Sequence, residues 1–480
     1  MLSSGSVRLT RLISPAVPFL QVRNVTAAND KIFDDIKAQG FNKVKLAAVD
    51  MDGILRGKYV SLEKFRSCLD SNLSFCGVIH GWDLNDKLYT DSKVSGTHNG
   101  YPDIIATVDT NSHRSLPWEE KLPFFLVDFE TDDTVNVCPR KLLKKICKQL
   151  ETEVNAKAMC GPELEFFNYG ETTESWAAKN YKNPKPFTPG MFGYSLLRTG
   201  QNGKIFKEIF DDCAAFGIPL EGLHTETGPG VFEAAIQFGD ALTAADNSTL
   251  FKYALKIIGS RNGFMPCFMA KPYSTMPGSS GHIHQSLVCK DSQKNLFHDD
   301  SDKNKMSDMF KHYVAGQLHC LPMILPMFCP TVNSYKRLVE GFWAPVEATW
   351  GVENRTSSLR VIPGSSKSTR LETRIPGADA NAYFSIAGAL ASGLYGIRHK
   401  LELPAEIVGE RKVTAENRLP RTLLEAAQRM RKSEEAKELF GEDFVEHYTM
   451  TREWEYNEFL ASFQNCVTDW EVARYSEIIQ

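Results

Sequence analysis

No apolar run in the 480 residues approaches the ~20 positions that a membrane-spanning helix needs. There is no C-x-x-C among the 11 cysteines, which are odd in number and scattered. That excludes a zinc-ribbon pattern, argues against a disulfide framework, and favours a reducing compartment. An excess of basic residues is also missing: Lys+Arg is 55 against 59 Asp+Glu, a formal net charge of -4. The chain is not a nucleic-acid binder that relies on overall basicity. Neither G-x-x-x-x-G-K-[ST] nor the protein-kinase motif set occurs, so the two common nucleotide-binding schemes do not apply. Acidic residues are absent before Asp30, whereas Arg8, Arg11 and Arg23 lie among Ser3, Ser4, Ser6 and Ser14. This composition is that of a mitochondrial transit peptide, and a short disordered tail accounts for it equally well. A secretory signal lacks its apolar stretch. The expected location is therefore cytoplasmic or mitochondrial, not secreted.

What is present is ordinary for a globular protein, with 42% hydrophobic and 24% charged residues. Three segments are expected: a flexible or targeting stretch at 1–30, an N-terminal domain at 31–135, and a larger domain at 136–480. Val44–Val49 reads as a buried strand and Leu142–Val154 as an amphipathic helix. Gly170–Gly203, rich in Asn, Pro, Gly and Thr, reads as a long excursion. The last 60 residues read as charge-mixed helices, packed on the domain or on a neighbouring subunit.

Four elements carry chemistry. In Cys160-Gly-Pro-Glu-Leu-Glu-Phe-Phe167 a period of two puts Glu163 and Glu165 on one strand face. Two carboxylates that close are costly unless a cation lies between them. In His224-Thr-Glu-Thr-Gly-Pro-Gly-Val-Phe-Glu233, Glu226 and Glu233 flank a tight turn and can converge across it. His282 and His284 alternate on a strand after a Gly/Ser-rich bend. Arg337, Arg355, Arg360, Arg370 and Arg374 crowd into about forty residues, and alternation places Arg370, Glu372 and Arg374 on one face. Each element alone also reads as a solvated strand face or a turn. Together, five carboxylates and a histidine make an oxygen-rich set that suits Mg²⁺ or Mn²⁺ rather than zinc. Guanidinium groups beside such a site suit a polyphosphate and a carboxylate, which points to phosphoryl transfer.

These stretches resemble the glutamine synthetase family, class I type. The resemblance runs from about residue 40 to the end, through GPELEFF at 161–167, HTETGPGVFE at 224–233, GSSGHIHQS at 278–286, NSYKRL at 333–338, NRTSSLRV at 354–361 and RLETRIP at 370–376. It implies an α+β fold: an N-terminal β-grasp-like domain, then a catalytic domain on an antiparallel sheet with helices and a C-terminal helical strap. It implies two metal sites, Glu165, Glu226 and Glu233 for one ion and Glu163, His282 and Glu372 for the other, with ATP as co-substrate. Arg337, Arg374 and the backbone at Gly278 match a glutamate site. His284, Ser286, Arg355, Arg360, Lys367 and Arg370 match nucleotide and phosphate contacts, and Glu221 and Phe238 match nucleotide-site positions. The implied reaction makes a γ-glutamyl phosphate and joins it to an amine, with Arg355, Arg374 and Trp343 at the reacting centre. The implied assembly is a ring-built homo-oligomer, a dodecamer, with active sites shared between subunits and no nucleic-acid or membrane partner.

Three positions depart from the family pattern. The Asp of the ammonium site is replaced by Cys76, the flap Glu by Trp343, and an Asn of the glycine loop by Pro277. Both carboxylates of the ammonium pocket are thus gone. Two branches share such a pattern. One is the γ-glutamylamine ligases, where an aromatic wall would pack against an alkylammonium. The other is the lengsin-like branch, catalytically silent and structural or chaperone-like, with intermediate filaments as partners. The ligase is the preferred expectation.

Overall fold

The computed structural model describes residues 19–130, 137–409, 413 and 418–477, with side chains from residue 28 onward. The Arg- and Ser-rich stretch up to residue 18 and the boundary expected at 135/136 lie outside the described residues.

Two sheets organise the chain. The first contains β1 (Lys43–Val49), β2 (Leu55–Ser61), β3 (Leu73–Cys76), β4 (Asp103–Val108), β5 (Arg114–Leu116) and β6 (Leu122–Glu130), in the order β2-β1-β6-β4-β3 with β5 also on β6. Only β1 and β6 run parallel; the helix Leu62–Ser71 lies between β2 and β3 in the chain and packs Phe65 against Phe125 of β6. β6 reads as an almost unbroken apolar run because both its faces are buried. Phe125, Val127 and Phe129 face the helix side, while Phe124 and Leu126 face the catalytic half.

The second sheet contains β7 (Ala156–Tyr169), β8 (Leu220–Thr225), β9 (Val231–Ile236), β10 (Gly239–Asp240), β11 (Met265–Cys267), β12 (Gly281–Cys289), β13 (Trp350–Val352), β14 (Leu359–Ile362) and β15 (Arg370–Thr373). Its main path is β13-β14-β15-β12-β7-β9-β8, antiparallel throughout except between β13 and β14. The expected α+β class, with a β-grasp-like sheet preceding an antiparallel catalytic sheet, is the one found.

One face of this sheet is apolar and covered. Ala158, Cys160, Ile283, Leu287, Leu359, Val361 and Leu371 point to helices Pro139–Val154, Asp308–Ile324 and Ala382–His399. Leu164, Phe166, Phe232 and Ala234 point to helix Ala241–Arg261. Strand alternation therefore sends Glu163, Glu165, His282, His284 and Glu233 to the opposite, uncovered face. The two halves are tied by Arg140, 2% exposed, which spans Asp109 and Asp128 of the first half and Asp246 of the second at 2.7–2.9 Å.

Of the expected elements, the excursion at 170–203 holds only two short helices, Thr173–Ala178 and Leu196–Gln201, and returns to the sheet where Tyr194 N–H donates to Thr225 O at 2.7 Å. The chain ends in helices Glu442–Phe463 and Asp469–Tyr475, where Leu460, Phe463, Val467, Trp470 and Val472 are exposed.

Candidate active site

Sheet register builds the site. Glu163 on β7 stands opposite His282 on β12, Glu165 opposite Glu233 on β9, and Glu233 opposite His224 on β8. On the other side, His284 stands opposite Glu372 on β15, and Glu372 opposite Arg360 on β14. Directly paired residues have Cβ atoms about 4.5–5.5 Å apart, so these ladders bring the polar tips together without any special loop.

Two acidic groups result. The ligand atoms of Glu163, His284 and Glu372 lie within 4.8 Å of one another, as do those of His224, Glu226 and Glu233. His282 Nδ1 is 3.3 Å from Glu372 and 3.8 Å from Glu163, and His284 Nε2 is 3.2 Å from Glu163. Both His282 and His284 thus reach the Glu163–Glu372 pair, although the resemblance assigns only His282 to it. His224 is a residue the sequence reading passed over. It alternates with Glu226 in H-T-E, lies 3.5 Å from Glu233, and stacks on Tyr194 at 4.3 Å. That alternation was the available signal.

The electrostatics show what the cluster lacks. Burial, then the charges of Glu165, Glu163 and Glu226, push Glu233 up to about 9. Burial and the neighbouring Arg374 lower His282, so at neutral pH it offers a lone pair rather than a countercharge. Burial raises Glu372, but His282, charged at the acid pH where Glu372 titrates, and Arg374 outweigh it and hold that carboxylate at about 2. An oxygen-rich group that crowds negative charge in this way fits a hard divalent cation.

Two adjoining cavities share Glu163 as a wall. One, of about 420 Å³, is lined by Glu165, Glu226, Glu233, His282, Arg337, Arg355 and Arg374, with Pro277, Gly278, Phe342 and Trp343 at its side. The other, of about 320 Å³, is lined by Glu221, Phe238, His284, Ser286, Lys367 and Arg370. The expected nucleotide contacts therefore gather in the second cavity, except two. Arg355 lines the first, and Arg360 is engaged with Glu353 and, at 3.0 Å, with Glu372.

Unpaired cations mark where anions fit. Arg337 is 3% exposed, donates only to the carbonyls of Ile375 and Arg374, and forms no ion pair among the described residues. Its backbone neighbourhood depends on Gly278, where a Cβ would fall 2.3 Å from Ala270 O and 2.8 Å from Arg337 Cγ. Arg370 donates to His284 Nδ1 at 3.1 Å and has no carboxylate partner among the described residues. Arg374 by contrast is held by Glu372, which fixes it beside the acidic cluster.

Of the three altered positions, Pro277 and Trp343 lie at the site and Cys76 does not. Trp343 lines the larger cavity, is 69% exposed and has φ of 60°. Cys76 does not reach the site within a single chain. It is an exposed residue at the end of β3, an edge strand of the first sheet, with its thiol 3.8 Å from Tyr101 O.

The description "Glutamine synthetase, catalytic domain" matches residues 136–475. A type-1 glutamine synthetase of Dictyostelium discoideum is 49% identical, over 94% of this chain and 87% of that protein. A glutamate–isopropylamine ligase of Pseudomonas is 35% identical, covering 94% and 98% of the two chains. A γ-glutamylethanolamide synthetase of Streptomyces coelicolor is 34% identical, covering 92% and 94%. Among solved structures, ligand-free GmaS superposes with a TM-score of 0.78 at 24% identity, over 93% of this chain and 99% of that one, a likeness of fold. With its sheet register, its acidic cluster and its unpaired arginines, the chain belongs to the glutamine synthetase family.

Proposed function

We propose that this protein is an ATP-dependent ligase that couples the γ-carboxylate of glutamate to an organic amine. A γ-carboxylate oxygen attacks the terminal phosphorus of ATP and ADP departs. The amine nitrogen then attacks the acyl carbon, phosphate leaves, and the nitrogen gives up a proton. Splitting amide formation in this way replaces one difficult step by two easier ones.

Glu165, Glu226 and Glu233 would hold one Mg²⁺ or Mn²⁺, and Glu163, His282 and Glu372 another. Such ions, when bound, neutralise the phosphate oxygens. The chain's own groups do the rest. Arg337, buried and unpaired, suits the carboxylate of glutamate. Arg355 and Arg374 stand where charge develops on the transferred group, and Lys367 and Arg370 flank the nucleotide cavity, where Phe238 offers an exposed ring face. Domains at 31–135 and 136–480, and a dodecameric ring, are part of this reading. The exposed apolar positions from Leu460 to Val472 support subunit contact, and an edge residue such as Cys76 comes near an active site only from a neighbouring chain. Cytoplasmic and mitochondrial locations both accord with it. Asn29 and Asp30 are tied to Leu69 and Arg66, and Ile32 and Phe33 pack in the first core, so processing before Asn29 leaves that core intact.

The observation that carries the amine assignment is Trp343, an indole on the wall of the cavity that holds the acidic cluster. An aromatic face favours an alkylammonium by apolar burial and cation–π attraction, where a carboxylate would favour NH₄⁺. The test is a screen of ammonia, monoamines and polyamines for ATP- and glutamate-dependent product. An organic amine should outcompete ammonia in kcat/KM. Trp343→Ala should raise its KM roughly 5–30-fold while the KM for ATP stays near wild type. A protein that binds nucleotide yet yields no acyl phosphate, trapped as hydroxamate, would be the silent, lengsin-like one, a reading that relatives named as ligases do not favour.

A further inference from the structure

Lys271 is used by none of the chemistry above. Its side chain is buried, the residue being 6% exposed, and Nζ has no hydrogen-bond partner and no carboxylate within ion-pair distance among the described residues. An isolated buried ammonium costs several kcal/mol unless something compensates it. Here the compensation is an aromatic face: Nζ lies 3.7 Å from the ring centroid of Phe342. This is the shortest of the cation–ring contacts among the described residues.

Both ends of this contact are positioned. The backbone of Lys271 is clamped by Asn333, whose Oδ1 accepts from Lys271 N–H at 2.8 Å and whose Nδ2 donates to Lys271 O at 3.0 Å. Asn333 opens the short segment that carries Arg337. Phe342 belongs to the stretch 340–345, of which residues 340–344 are exposed or half-buried. Gly341 and Trp343 both have positive φ, at 82° and 60°, and Glu340 makes an exposed pair with Arg418 at 3.1 Å. A bulky residue in the left-handed region is strained and persists only where its surroundings hold it.

We propose that Lys271 is a positioning residue. Its ammonium docks on Phe342 and latches stretch 340–345, so that the adjoining Trp343 is presented to the amine. Because this rests on the ligase reading, the experiment has one arm that needs no substrate. In ligand-free protein, chymotryptic cleavage after Phe342 or Trp343, mapped by mass spectrometry, should accelerate at least 5-fold in Lys271→Met and should remain near wild type in Lys271→Arg, which keeps a cation for the ring. Phe342→Leu, on a half-buried flap residue that the core does not need, should match Lys271→Met for cleavage after Trp343. In turnover, Lys271→Met and Phe342→Leu should each raise the amine KM roughly 3–30-fold, with the double variant no worse than the singles and the ATP KM unchanged. Glutamate-dependent phosphate release without amine should rise as well, since the intermediate is less well covered. Equal cleavage rates in Lys271→Met and wild type, or fully additive KM effects, overturn the latch. If no amine is a substrate of the wild-type protein, the ligase reading fails while the cleavage arm still decides the latch.

Discussion

Glu233 shows how one residue reports on its whole surroundings. It is an ordinary strand carboxylate in sequence, yet facing Glu165 across the sheet, with Glu163 and Glu226 close by, it holds its proton to about pH 9. Nothing local to Val231–Ile236 causes this; the register of three strands does. Removing this carboxyl group should relieve the cost of keeping it buried and protonated, and should abolish cation binding as well. Glu233→Ala is therefore expected to raise Tm slightly in metal-free buffer while losing Mn²⁺-dependent nucleotide binding by at least 10-fold in titration calorimetry. Unchanged metal and ATP affinity would show that Glu233 is not a ligand. The H-x-H and E-x-E alternations were legible as same-face pairs because strand geometry has only one period. His224 was passed over although H-T-E carries the same alternation, because what singles it out, the 3.5 Å approach to Glu233, comes from the partner strand.

At the scale of elements, the catalytic sheet needs a firm back. Helices Asp308–Ile324 and Ala382–His399 supply it by crossing at glycines. A Cβ on Gly396 would fall 2.1 Å from His312 O and 2.6 Å from Gly316 Cα, and one on Gly316 would fall 2.3 Å from Ser392 O. These are backbone atoms, which cannot swing aside as a side chain can. Gly396→Ala should therefore destabilise by ~1–3 kcal/mol or more, overriding the better helix propensity of alanine. Gly200→Ala, in the short helix Leu196–Gln201 with open space around it, should be neutral or slightly stabilising. Thermal unfolding of both variants checks this, and equal Tm values would mean that the crossing is looser than described. Of the helices behind the sheet, Leu142–Val154 was readable from apolar spacing, whereas Asp308–Ile324 and Ala382–His399, buried over most of their surfaces, offer no polar face to mark a period. Their crossing was not readable either, because a helical glycine reads the same in sequence whether it faces solvent or another backbone.

On the scale of the molecule, the first sheet and the C-terminal helices meet around two buried histidines. His80 follows β3 and is 1% exposed, edge-on to Phe129 at 5.0 Å; His447, in helix Glu442–Phe463, is 4% exposed. Neither ring has a hydrogen-bond partner among the described residues. Burial lowers His80 to about 4, and burial with the nearby His80 and Arg452 lowers His447 to about 3. Unfolded histidines take up protons near 6.5, before these folded ones do, so the stability they sustain is complete above that pH and declines as pH falls towards 4. Between pH 7.5 and 5 the loss is ~2 kcal/mol per histidine, at 1.36 kcal/mol per pH unit below 6.5. Calorimetry should show this decline, and His447→Phe should shrink it by about half. A decline of the same size in His447→Phe would place its origin elsewhere.

The sequence by itself determined the strands and helices with clean periodicity and the carboxylate, histidine and arginine inventory. Through six motifs in order, it also determined the family. It could do so because alternation and spacing are properties of a single segment. The tertiary structure alone decided which carboxylates and histidines lie within reach of one another, and that Arg355 and Arg360 stand apart from the cavity lined by Glu221, Phe238, His284, Ser286, Lys367 and Arg370. It also decided that Lys271 lies under Phe342 and that Cys76 stays out of reach within one chain. Those are distances between segments far apart along the chain, set by sheet register and helix packing.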